Sequence, residues 1–76
     1  MGHTICASGV LDTVLATRAL QDKCIPGIAN LDQLAPACSA LNASSQSRHL
    51  EENKPYAMII NRGFAGMNAC LIIKSL

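Results

Sequence analysis

Tyr56-Ala57-Met58-Ile59-Ile60-Asn61-Arg62-Gly63-Phe64-Ala65-Gly66-Met67-Asn68-Ala69-Cys70-Leu71-Ile72-Ile73 is the stretch on which the fold turns. Two short apolar runs, Tyr56 to Ile60 and Ala69 to Ile73, flank a connector that holds two glycines. Their shortness and the turn-formers around them read as two strands. The glycines allow an irregular turn with close backbone approach. Neither run alternates apolar with polar residues. A strand with one wet face alternates, and a strand covered on both faces does not. Covering both faces needs two layers of packing.

Upstream of Tyr56 the chain offers little cover. From Ile25 to Pro55 it is loop-like: Pro26-Gly27 marks a turn, and Ala35-Pro36 and Asn42 to Ser47 carry turn-formers. Ser47 to Lys54 is polar and expected to be solvated. So long a loop region suggests a surface crossing over a larger body. Before it, Ala7 to Lys23 reads as a helix, with Ala7, Val10, Leu11, Val14, Leu15 and Ala19 on one side. Ser8 suits the N-cap, Asp12 an early turn and Lys23 the last turn. Pro26 is expected to stop the helix by disfavouring helical geometry at Ile25. One helix, a polar loop region and a C-terminal hairpin form an α/β arrangement that lacks a layer. The residues alone therefore point to a piece of something larger.

Composition agrees. At 76 residues, 50% hydrophobic, with one Tyr, one Phe and no Trp, the chain is neither disordered nor a good isolated mini-protein. A net charge of +1 without a Lys/Arg cluster argues against nucleic acid as a partner. No apolar run approaches the roughly 20 residues of a membrane span. No secretory signal follows Met1, so the cytoplasm is the expected compartment. Cys6, Cys24, Cys38 and Cys70 contain no C-x-x-C and no close Cys/His pair, which argues against zinc. Reduced thiols are expected over disulfides in the cytosol. Asn42-Ala43-Ser44 is a sequon by chance on this reading.

Two motifs resemble a known family. Gly2-His3-Thr4-Ile5-Cys6-Ala7-Ser8-Gly9, the helix, and Cys24-Ile25-Pro26-Gly27-Ile28-Ala29-Asn30-Leu31 are similar to the β-ketoacyl synthase pattern G-H-T-x-G-A-[AS]-G, long helix, I-P-x-x-x-N-L. Asn61-Arg62-Gly63-Phe64-Ala65-Gly66-Met67-Asn68-Ala69 resembles the family's C-terminal G-F-G-G-x-N-A turn. The resemblance covers essentially the whole chain. Thiolases share the fold, but their histidine is usually followed by proline, and here Thr4 follows His3. Cys6 and Ala65 stand where the family usually has glycine, and Arg62 where an aromatic is common. These departures suggest a divergent polyketide or polyene-type branch. A lysine shortly before G-H-T, the nucleophilic cysteine and a second catalytic histidine belong upstream of this segment. Residues 1–76 then form an incomplete C-terminal portion of a thiolase-like domain, and Met1 an internal methionine.

The resemblance implies a decarboxylating Claisen condensation through an acyl-cysteine thioester. It makes His3 the catalytic donor that stabilises the enolate formed when malonyl loses carbon dioxide. It gives the N–H of Phe64 to the oxyanion hole and its ring to the gate of the acyl pocket, with Gly63 letting the backbone turn. The implied partners are acyl carrier protein, malonyl and acyl thioesters, the remainder of the synthase chain and a dimer mate; no cofactor is implied. Cys6 occupies a glycine position and is not read as the nucleophile. Cys70 reads as a packed thiol and His49 as a surface residue. The alternatives are a non-catalytic interaction module built on the same scaffold and an unrelated disulfide domain.

Overall fold

A computed structural model describes residues 2–76, so Met1, read above as an internal methionine, lies outside the described residues. The three expected parts are present. Helix α1 runs Ser8–Asp22, one residue shorter at each end than the periodicity predicts. Ser8 is not its cap. Ala7 occupies the N-cap without a side-chain bond, and Ser8 is the first helical residue. The stop comes before Pro26. Lys23 adopts the left-handed conformation (φ 52°, ψ 41°) and its N–H returns to Ala19 O and Leu20 O, satisfying carbonyls the helix end leaves open. Inside α1, the hydroxyls of Thr13 and Thr17 donate to Gly9 O and Thr13 O at 2.7 and 2.8 Å, which meets their needs without outside partners.

Strands β3 (Tyr56–Arg62) and β4 (Asn68–Lys74) form the hairpin, antiparallel, with Ile59 opposite Leu71 and Met58 opposite Ile72. β3 exceeds its apolar run by Asn61 and Arg62, which lead into the turn, and β4 exceeds its own by Asn68 on the turn side and Lys74 at the other end. A second pairing was not legible: β1 (Cys24–Ile25) runs antiparallel to β2 (Arg48–His49), so the polar run from Ser47 is partly engaged in a ladder. Leu50 N–H extends it to Lys23 O at 2.9 Å.

The helix lies on the hairpin with a different face from the one expected. Val10, Val14 and Leu15 stand in the open, while Gly9, Ala16 and Leu20 lie on the covered side. Small residues let backbones approach. A β-carbon on Gly9 would come within 3.2 Å of the Asn61 amide nitrogen. Along β3, Ala57, Ile59 and Asn61 are the covered residues, and Met58 and Ile60 point the other way, each about three-fifths exposed. Leu20 and Ile59 are the two buried apolar side chains of the described residues. The far face of the hairpin, with Tyr56, Met58, Ile60, Cys70 and Ile72, is bare. Cys70, expected to be packed, is exposed there, because α1 covers only the opposite face.

The loop region depends on one close approach. Gly27 does not turn the chain; the turn is at Ala29-Asn30, with Asn30 left-handed (φ 63°). Instead its backbone lies against the strip 44–47. Gly27 N–H donates to Ser47 Oγ at 3.1 Å and Ile28 N–H to Ser44 O at 2.9 Å.

Candidate functional site

His3 lies in an irregular lead-in to a 3-10 turn, Ile5–Ala7, which feeds directly into α1. Ala7 N–H donates to Thr4 O at 3.1 Å. Ile5 adopts φ 54°, a left-handed conformation that is an outlier for a β-branched residue and costs roughly 1–2 kcal/mol. Its side chain is exposed, so contacts within the chain do not account for it. The first turn of α1 holds no acidic residue and no side-chain cap. Its N-terminal partial positive charge is therefore uncompensated on the His3 side.

The other loop is the turn of the hairpin. Gly63 N–H donates to Met67 O at 2.7 Å and closes it. Phe64 begins a 3-10 turn, Phe64–Gly66, so its N–H has no partner within that turn. Ala65 (φ 60°, ψ 30°) and Gly66 (φ 79°) are both left-handed. The sequence thus has alanine at a place whose backbone favours glycine. Replacing Ala65 with glycine relieves about 1–2 kcal/mol of strain and loses about 0.4–1 kcal/mol through a freer unfolded chain. The expected result is a modest net stabilisation, read as a rise in the thermal midpoint; a fall would contradict the conformation of this turn.

Gly9, in the first turn of α1, abuts Asn61, next to last in β3, so the helix start that follows the His3 loop lies against the strand end that precedes the Phe64 turn. His3 is exposed, and Phe64 is 94% exposed. The expected gate therefore has no pocket to close here. The depressions beside Leu20 are lined by residues such as Lys23, Leu50, Pro55 and Ile73, and by neither His3 nor Phe64.

Arg48 was missed in the sequence. It is half-buried, with one guanidinium nitrogen donating to Asn42 Oδ1 and the other to Asn42 O at 2.8 Å, which ties the loop to β2. A lone arginine in a polar run carries no signal of such a role. His49 is exposed, as expected. The cysteines are free thiols: Cys6 and Cys70 exposed, Cys24 and Cys38 half-buried. Among the described residues no group of three or more His, Cys, Asp or Glu could hold a metal, and no helix is long and apolar enough to cross a membrane.

Comparison with known proteins gives relatives along nearly the full chain. It is 35% identical over 79 residues, 97% of the chain, to the non-reducing polyketide synthase mapC' of Penicillium brevicompactum. It is 32% identical over 78 residues, 96% of the chain, to the non-reducing polyketide synthase dpmaA of Metarhizium anisopliae. It is 34% identical over 84 residues, 97% of the chain, to the non-reducing polyketide synthase adrD of Penicillium rubens. The chain spans only 4%, 4% and 3% of the lengths of these relatives. It is thus related to a short segment of fungal polyketide synthases. No family model matches the chain, and no solved structure matches it.

Proposed function

We propose that the chain is the C-terminal segment of a condensing domain of a polyketide synthase, a thiolase-like β-ketoacyl synthase that the rest of its domain completes. The observation that carries this reading is the meeting of Gly9 with Asn61, which brings together the helix start that follows the His3 loop and the strand end that precedes the Gly63-Phe64 turn. The similarity to polyketide synthases along 97% of the chain supports it. So do the bare far face of the hairpin and the bare Val10–Val14 stripe of α1, since both ask for packing this chain does not supply.

The chemistry follows from the residues. A carrier-bound acyl group is passed to a cysteine supplied by the upstream part of the domain. The Phe64 N–H, left without a partner by its own turn, joins that cysteine's N–H around the thioester oxygen. His3 donates a hydrogen bond to the oxygen of the enolate left when malonyl loses carbon dioxide, beside a helix terminus that favours negative charge. The enolate carbon attacks the acyl-cysteine. Acyl carrier protein and malonyl thioesters are the partners on this reading, and no cofactor is needed.

Complementation tests it. The chain is produced alone and together with the upstream part of its condensing domain. A stable one-to-one complex that decarboxylates malonyl thioester is expected, with a chain that shows no cooperative melting when alone. A chain that melts cooperatively by itself and does not associate would overturn the proposal.

A further inference from the structure

Five of the six cations have a place. Arg18 Nε meets Asp22 at 2.8 Å, Lys23 meets Glu52 at 3.4 Å and Lys54 meets Glu51 at 3.9 Å. Arg48 is bonded to Asn42, and Lys74 lies 5.7 Å from the centre of the Tyr56 ring. Arg62 alone has no ion-pair, hydrogen-bond or aromatic partner among the described residues. Strand alternation puts it on the bare face of the hairpin, at the end of the apolar stripe of Met58 and Ile60, with Ile72 and Cys70 across the register.

A guanidinium in open water needs no partner. This one ends a stripe whose own apolar surface asks for cover, and a cation enclosed with that surface is strongly unfavourable unless an anion meets it. Its position says which anion. Phe64 is two residues on, at most about 7 Å along the backbone, and the arginine side chain spans a similar reach. The malonyl α-carbon must reach the acyl-cysteine carbonyl that the Phe64 N–H holds, so the carboxylate on that α-carbon lies within the same distance. The phosphodiester of a carrier arm lies much further away, at the other end of a long flexible chain. Arginine suits a carboxylate, since its planar fork can donate two parallel hydrogen bonds.

We infer that Arg62 binds the carboxylate of the malonyl extender and so selects it from thioesters that lack one; the inference rests on the condensing-domain reading above. The carboxylate is the group that departs. As its carbon–carbon bond breaks, the electron pair passes into the enolate and neutral carbon dioxide leaves. The ion pair therefore exists in the bound substrate and fades toward the transition state. Arg62 contributes to binding and not to the rate of the chemical step.

The test uses the intact synthase, with malonyl thioester for decarboxylation and acetyl thioester for loading of the cysteine. Arg62→Ala is expected to raise KM for malonyl thioester about tenfold, with kcat equal or higher and acetyl loading unchanged. Arg62→Lys is expected to retain part of the binding. Arg62→Gln keeps the stem and a donor, and it serves if the alanine variant does not fold. An equal loss with both thioesters would place the guanidinium against a carboxylate of the protein itself and overturn the inference. So would an unchanged KM. His3→Ala run alongside separates the two ideas: if it leaves decarboxylation intact, the condensing-domain reading fails, whereas a lost decarboxylation with an inert Arg62→Ala sinks the Arg62 assignment alone.

Discussion

Replacing His3 with alanine in the intact synthase should slow malonyl decarboxylation about 10²–10³-fold, the effect of removing one pre-aligned donor from a developing oxyanion. On the proposed reading acyl loading of the cysteine draws on the Phe64 N–H and its partner, so it should change little. The contrast between the two half-reactions is the informative part. A general loss of fold would depress both, and a histidine that only shapes the loop would do the same. Loss of decarboxylation with preserved loading isolates the imidazole as a hydrogen-bond donor to the enolate. Single-turnover measurements of carbon dioxide release and of acyl-enzyme formation read the two steps separately. Unimpaired carbon dioxide release would remove His3 from the chemistry.

The second large effect belongs to Gly27. A β-carbon there would sit 2.2 Å from Ser45 O and 2.7 Å from its carbonyl carbon. Backbone cannot swing aside as a side-chain tip can. Gly27→Ala must therefore push the strip 44–47 away, with loss of the bonds to Ser47 Oγ and Ser44 O. A cost of about 3 kcal/mol is expected, at the upper end of the usual range for overpacking. Gly9→Ala makes the comparison. Its closest contact, at 3.2 Å, is the far end of the Asn61 side chain, which can give way, and alanine gains about 1 kcal/mol of helix propensity. Denaturant midpoints of the two variants should move far apart. Similar midpoints would show that residues 26–28 and 44–47 do not pack as described.

The helix and the hairpin were legible because each leaves a periodic or uninterrupted apolar signal. The face of the helix was not. Hydrophobicity favours Val10, Val14 and Leu15, but the hairpin takes the side on which Gly9 and Ala16 permit close approach. The bulkier stripe is left for another partner. The β1–β2 ladder was invisible because two-residue strands have no period to read. Lys23 ends the helix by a left-handed backbone that a lysine does not advertise. At the candidate site, residue types and their order were readable. The strained backbone at Ile5 and Ala65 was not, since local propensity points away from it, and such conflicts tend to gather at working sites.

The hairpin has two outer edges, and neither β3 nor β4 pairs with a third strand. Tyr56 to Ile60 and Ala69 to Ile73 are uncharged, free of proline and rich in isoleucine, the composition of segments that stack into cross-β fibrils. Released from whatever normally shields it, this ribbon is a template on which like ribbons can add without limit. An uncovered hairpin of this composition is therefore expected to aggregate edge to edge.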